Sequence, residues 1–170
     1  VIHDLRTNMT PLLGFSIKSQ LGSASTLLNA GDPTNILYRV CGTELTDTQI
    51  DEINAVDSHL LRMSAINNAG CSLQYADIEH ENNLLFLDSN MPQFIADCLL
   101  VDSMPDSVSD IKDAVERVAN QNPLAFKGKN VIAFYEHKMK VLLLDAALGM
   151  TPAKEWNGRY DANGGYIVVR

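Results

Sequence analysis

The sequence has no apolar run long enough to cross a bilayer and shows no signal-peptide pattern, so nothing in it points to a membrane span or to export. Cysteine is scarce. Cys41, Cys71 and Cys98 make an odd count without close pairing, which fits a reducing cytoplasm and argues against a disulfide framework or a zinc site. Positive charge is in deficit, with a formal net charge of −8. Proteins that bind phosphate backbones usually carry a basic balance, because their cations displace condensed counterions. The deficit counts against nucleic acid unless basic residues lie in absent parts, or the carboxylates gather away from the binding face. Internal repeats, low-complexity tracts and inter-domain linkers are also lacking.

What remains is ordinary globular composition, 46% hydrophobic and 20% charged over 170 residues. That is enough chain for one good core and a single domain spanning residues 1–170. The opening at Val1-Ile2 and the closing strand Gly164 to Arg170 predict structure missing on both sides. A strand ending at the last residue is expected to have its partner outside the sequence.

Periodicity predicts an α/β (α+β) fold, a mixed sheet flanked by several helices. Residues 1–6 read as a short strand, and Thr7 to Pro11 has turn chemistry. Residues 12–18 then alternate, with Leu13, Phe15 and Ile17 on one face and Gly14, Ser16 and Lys18 on the other. The two segments predict an antiparallel hairpin. Residues 19–34 form a long polar connection, and Asn35 to Val40 reads as the next strand. Thr46 and Gln49 have capping-box spacing, and Ile50, Ile53, Leu60 and Leu61 repeat at helical spacing as far as Gly70. Leu73 to Ile78 reads as a strand. Helices are expected at 80–88, 91–102, 107–120 and 130–149. In the third of these, Val108, Ile111, Val115 and Val118 make an apolar stripe after Pro105, with Asp106 or Ser107 as cap.

The hairpin is where chemistry is expected. Cutting a phosphodiester needs an activated water, an electrophilic clamp on the phosphate and help for the leaving oxygen. A divalent metal held by oxygen ligands supplies the first two, and a nearby lysine stabilises charge or orients the water. An aspartate on one strand and a residue-x-lysine pair on the next places these groups together, since period-two alternation puts both members of the pair on one face. Asp4, then eleven residues, then Ser16-Ile17-Lys18 has that form.

This arrangement resembles the PD-(D/E)XK nuclease core, with Ser16 in place of the second acid. The wider run Asp4-Leu5-Arg6-Thr7-Asn8, Leu13 to Ser23, Thr26-Leu27-Leu28-Asn29-Ala30 and Thr34-Asn35 is similar to the central region of the HpaII-type restriction endonucleases. Thinner echoes occur at Asn83-Leu84-Leu85, at Asp88-Ser89 and in Gly164 to Val169. The resemblance implies a type II enzyme of the prokaryotic cytosol that cuts double-stranded DNA at a short palindrome, CCGG, with Mg2+. A cognate cytosine methyltransferase would be its functional partner. Asp4, Ser16 and the Ile17 main-chain carbonyl would hold the metal, and Lys18 would complete the catalytic set. A hydroxyl is a weaker ligand than a carboxylate, so part of the metal charge must be balanced elsewhere.

Other residues admit two readings. Gln20, Ser23, Ser25, Thr26 and Asn29 can contact bases or phosphates without desolvating a charge, or simply form a capped turn around Leu27-Leu28. His3 neighbours Asp4 but falls on the opposite face of a regular strand. Glu79-His80-Glu81 looks metal-binding, yet adjacent side chains cannot share a helix face, and acidity at a helix start explains them. Lys127, Lys129, His137, Lys138 and Lys140 form the most basic stretch, facing either DNA phosphates or solvent. Trp156 near Arg159 is a core anchor or part of a DNA-facing loop. Two rival functions are a structure-selective repair nuclease of the same fold, such as a junction resolvase, and a non-catalytic helical interaction module, which the acidic balance supports.

Overall fold

The computed structural model describes residues 5, 8, 14–19, 35–78, 82–104, 110–148 and 163–169, with backbone alone at 14–19, 82–83 and 163–169. The chain is mixed α/β and divides into two compact units. One comprises residues 1–35, 79–89 and 140–170, the other 36–78 and 90–139.

In the first unit, β1 (Gly14–Ser19) falls where alternating apolar residues predict a strand. It pairs in parallel with β4 (Asn163–Val169), with Ser16 opposite Tyr166, Ile17 opposite Ile167 and Lys18 opposite Val168. The closing strand therefore has its partner inside the chain, which corrects the expectation that it lay outside. Parallel pairing needs a crossover connection and leaves no local turn signal to read. Of the segment expected to form the other arm of a hairpin, only Leu5 is described; it lies in a turn and is exposed. The hairpin itself falls outside the described residues. The helix expected at 80–88 is the short α3 (Asn82–Leu87), with Leu84 buried.

The second unit is built on β2 (Ile36–Gly42) and β3 (Cys71–Ile78), paired antiparallel. Between them run α1 (Asp47–Asn54) and α2 (His59–Asn68). Thr46 and Gln49 form the expected capping box: Gln49 N–H donates to Thr46 Oγ1 at 3.3 Å and Thr46 N–H to Gln49 Oε1 at 3.0 Å. The single helix read from Thr46 to Gly70 is instead broken at residues 55–58. Ser58 caps a second start by accepting from Leu61 N–H, and the Arg62 guanidinium donates to the carbonyl of Val56 at 2.7 and 3.2 Å. Leu60 and Leu61, counted in the apolar repeat, are exposed, while Met63 and Ile66 are buried. The return into β3 is tight. Gly70 has φ +76, and a Cβ on Gly42 (φ +120) would collide with the Gly70 carbonyl oxygen, so both positions need glycine.

Next follow α4 (Met91–Asp102), α5 (Ile111–Gln121) and α6 (Val131–Ala147). The boundary between the units falls within α6, after Met139. The first of these helices coincides with its expected range. Pro92 occupies its first turn, where a missing N–H costs nothing, and Met91, Phe94 and Ile95 are buried. α5 starts later than expected because Asp110 is its cap, accepting from Lys112 N–H at 2.7 Å. The stripe shifts accordingly: Ala114, Val115, Val118 and Ala119 are buried, Ile111 is exposed, and Val108 lies outside the described residues. Met63, Ile66 and Cys71 form one core cluster, with Leu45, Ile53, Leu73, Leu100 and Met104 against it.

At the end of α5, Asn122 takes the left-handed conformation (φ 49). Its side chain bonds both the N–H and the carbonyl of Phe126, at 3.0 and 3.2 Å. Tyr135, fully buried, donates its hydroxyl to Asn122 Oδ1 at 3.2 Å and accepts from Leu124 N–H at 2.9 Å. Its ring lies 5.8 Å from that of Phe94 and 5.1 Å from that of Phe126. The basic stretch divides. Lys127, Lys129, His137 and Lys140 are exposed, whereas Lys138 is 6% exposed, its ammonium 5.6 Å from the Phe126 ring centre. Lys138 is thus neither on a solvated face nor open to phosphate.

Candidate active site

Among the residues singled out for catalysis, Ser16 and Lys18 stand on β1 with Ile17 between them. They are two positions apart, the period at which a strand repeats its face. β4 runs alongside in register from Phe15 to Ser19. The strand is short and regular through this part; its irregularity lies between Gly14 and Phe15, before the Ser-Ile-Lys triplet. The strand backbone therefore carries both residues at a fixed spacing. Asp4, the third member, lies outside the described residues, as do His3, Gln20, Ser23, Ser25, Thr26, Asn29, Glu79, His80, Glu81, Trp156 and Arg159.

The donor set expected from the sequence (Asp4, Ser16 and the Ile17 carbonyl) would be one carboxylate, one hydroxyl and one main-chain carbonyl. All are hard oxygen ligands, which suits magnesium and disfavours softer ions. With a single carboxylate among them, such a set would leave one positive charge on a divalent ion to be balanced by further acids or by the phosphate itself. Among the described residues, no three His, Cys, Asp or Glu side chains gather to hold a metal.

A second group of titratable side chains lies in the other unit and was missed by sequence reasoning. Asp97 sits on α4 within the otherwise apolar stretch Phe94 to Val101. Burial pushes its carboxyl up to about 6, although a hydrogen bond from the Gln93 side chain works in the opposite direction. Its Oδ2 is buried with no hydrogen-bond partner among the described residues. Burial likewise raises the neighbouring Cys98 thiol to about 12, with the Asp97 charge adding to the effect. Tyr38 is raised by burial first and then by Asp97 and Cys98; its hydroxyl donates to the Ala96 carbonyl at 2.7 Å. The signal was the lone acid in an apolar helix, since an unpaired buried carboxylate is costly and seldom kept without use.

Comparison with known proteins bears on the strand pair and on the rest of the chain alike. The family model of the HpaII restriction endonuclease matches residues 1–170. The chain belongs to the HpaII restriction endonuclease family. It is 40% identical over 173 aligned residues to the type II restriction enzyme HpaII of Haemophilus parainfluenzae, with the whole of this chain and 48% of that protein covered. The chain thus spans about half the length of the curated relative it matches. No solved structure matches. Membership agrees with the resemblance read from residues 3–40 and extends it over the full chain. No helix among the described residues is long and apolar enough to cross a membrane.

Proposed function

We propose that the complete protein is a type II restriction endonuclease that hydrolyses double-stranded DNA at a short palindrome, CCGG, leaving 5′-phosphate and 3′-hydroxyl ends. The observation that carries this reading is the 40% identity to a type II restriction enzyme across the whole chain, which includes the strand bearing Ser16-Ile17-Lys18. Both units would belong to one nuclease domain of the PD-(D/E)XK type. Work in the prokaryotic cytosol beside a cognate cytosine methyltransferase follows from the same reading, because the host must protect its own sites.

Within this reading, Asp4, the Ile17 carbonyl and Ser16 hold magnesium, which when bound polarises the phosphate and acidifies a water. Lys18 orients the attacking water by hydrogen bonding and stabilises the charge that develops on the phosphate oxygens. Ser16 contributes a neutral ligand, so the carboxylate of Asp4 carries most of the attraction for the ion. In the polar connection, Gln20, Ser23, Ser25, Thr26 and Asn29 contact bases and phosphates as neutral donors and acceptors, which avoids desolvating a charge. The exposed Lys127 and Lys129 offset the acidic balance where phosphates approach.

Plasmid digestion by the full-length protein tests the reading. Discrete fragments that map to one palindrome support it, and fragments that vanish with Asp4→Ala or Lys18→Ala support the site. Cleavage confined to branched substrates would point to a structure-selective enzyme instead. If both variants cut at the wild-type rate, the site is wrongly placed; if the wild type neither cuts nor binds DNA, an interaction module is the better description.

A further inference from the structure

A groove of about 690 Å³ runs through the second unit between β3, α4 and α5. Four consecutive residues of β3, from Ser72 to Tyr75, line it. Side chains on a strand alternate between faces, so a cavity that meets four in a row lies along the strand's edge. Main-chain donors and acceptors as well as side chains are therefore within its wall. The volume falls in the range of sites for small planar ligands.

Its lining combines two chemistries. Leu100 and Met104, which also pack on the core cluster, give it an apolar floor. Gln74, Gln93 and Gln121 bring three primary amides, Asp97 a carboxyl and Arg117 a cation. Each amide both donates and accepts, whereas an ionised carboxylate only accepts. An apolar surface for a flat ring, bordered by groups that bond along its edge, is how a nucleobase taken out of the stack is held. The acceptor-only carboxylate then sets the class of base. It favours a ring with an exocyclic amino group over one presenting a carbonyl there, as carboxylates do when they accept from cytosine.

Asp97 is also the member whose bonding is incomplete. Buried polar atoms in folded proteins nearly always have partners, yet its Oδ2 has none among the described residues. Asp97 lines the groove, and a carboxylate with one oxygen unbonded keeps acceptor capacity for a donor brought there. The Gln93 hydrogen bond keeps the group in place.

We propose that this groove receives an unpaired nucleobase bearing an exocyclic amino group, presented by the DNA substrate, with Asp97 accepting from the amine. The assignment rests on the nuclease reading above but on different residues, since Asp4, Ser16 and Lys18 all belong to the other unit. It makes Asp97 a specificity determinant rather than part of the cleavage chemistry.

The test is a cycle on the full-length protein and a duplex containing its mapped site. Each cytosine in turn is replaced by 2-pyrimidinone, each guanine by hypoxanthine and each adenine by purine, deleting one amino group at a time. At one position the deletion should weaken wild-type binding by roughly 10- to 100-fold. Asp97→Ala should weaken binding of the unmodified duplex by a similar factor, and the two losses should not add. Asp97→Leu, close in size and suited to the apolar stretch Phe94 to Val101, carries the same cycle should Asp97→Ala fail to fold. Additive losses, or a variant that discriminates as the wild type does, overturn the proposal while the nuclease reading stands. A wild type that neither binds nor cuts DNA overturns both readings.

Discussion

Lys18 and Val168 face each other in register across the parallel pair of β1 and β4. The residue proposed to act on the water is thus held by a strand from the far end of the chain. A break in β4 should remove activity through the backbone. Ile167→Pro, opposite Ile17, is expected to abolish cleavage and to lower stability by at least about 1 kcal/mol, since it removes a main-chain donor and strains its neighbours. Lys18→Ala should abolish cleavage with an unchanged Tm. Thermal melts beside plasmid digestion separate the two.

On the proposed reading Ser16 takes the place of an acid in the nuclease core that the sequence resembles, and this has a constructive test. Ser16→Asp adds a charge to a ligand set that otherwise holds one carboxylate, and cation affinity rises with ligand charge. The magnesium concentration for half-maximal cleavage should fall, by about tenfold if the new carboxylate contributes roughly 1.4 kcal/mol. An unchanged midpoint would place Ser16 away from the metal.

Asp97 gives a pH signature in stability. Its carboxyl is raised to about 6 in the folded protein from 3.8, so the native state holds the proton more tightly than the unfolded chain. Stability from this group is therefore greatest at low pH and is lost as pH rises through about 6. Asp97→Asn removes the titration. It should raise Tm relative to the wild type at pH 7–8, and the gap should close below pH 4.

Tyr135 and Asn122 form a lock with a predictable cost. Tyr135→Phe keeps the buried ring but leaves the Leu124 N–H and one bond of Asn122 unmet, for about 1–3 kcal/mol. Asn122→Gly relieves the left-handed backbone yet loses both bonds to Phe126, and Asn122→Ala loses them while adding strain at φ 49. The order Gly above Ala in denaturant midpoint checks the account.

Much of the fold could be read where a signal is local. Alternation located β1, the strands read at Asn35 to Val40 and Leu73 to Ile78 fall on β2 and β3, the Thr46–Gln49 box located the start of α1, and the helix read at 91–102 has the bounds of α4. Where several local signals compete, reading failed. The apolar repeat past Ile53 hid the break that Ser58 and Arg62 create, and Asp106 and Ser107 masked Asp110 as the cap of α5. Long-range facts had no signal at all. Nothing in Gly164 to Val169 tells that it lies parallel to residues 14–19, and nothing but an isolated charge marks Asp97. In the candidate site, the Ser16–Lys18 spacing was legible because a strand fixes it, whereas Asp4 has to meet that strand through a fold beyond local pattern.

The pairing of β1 with β4 also sets a schedule. Tyr166, the register partner of Ser16, leaves the ribosome about 150 residues after it, a delay on the order of ten seconds at ordinary synthesis rates. Until then the strand bearing Lys18 is without its partner among the described strands. On the proposed reading, a nascent chain that has not yet made β4 would leave the DNA around it uncut, because the pair that carries Ser16 and Lys18 is not yet formed.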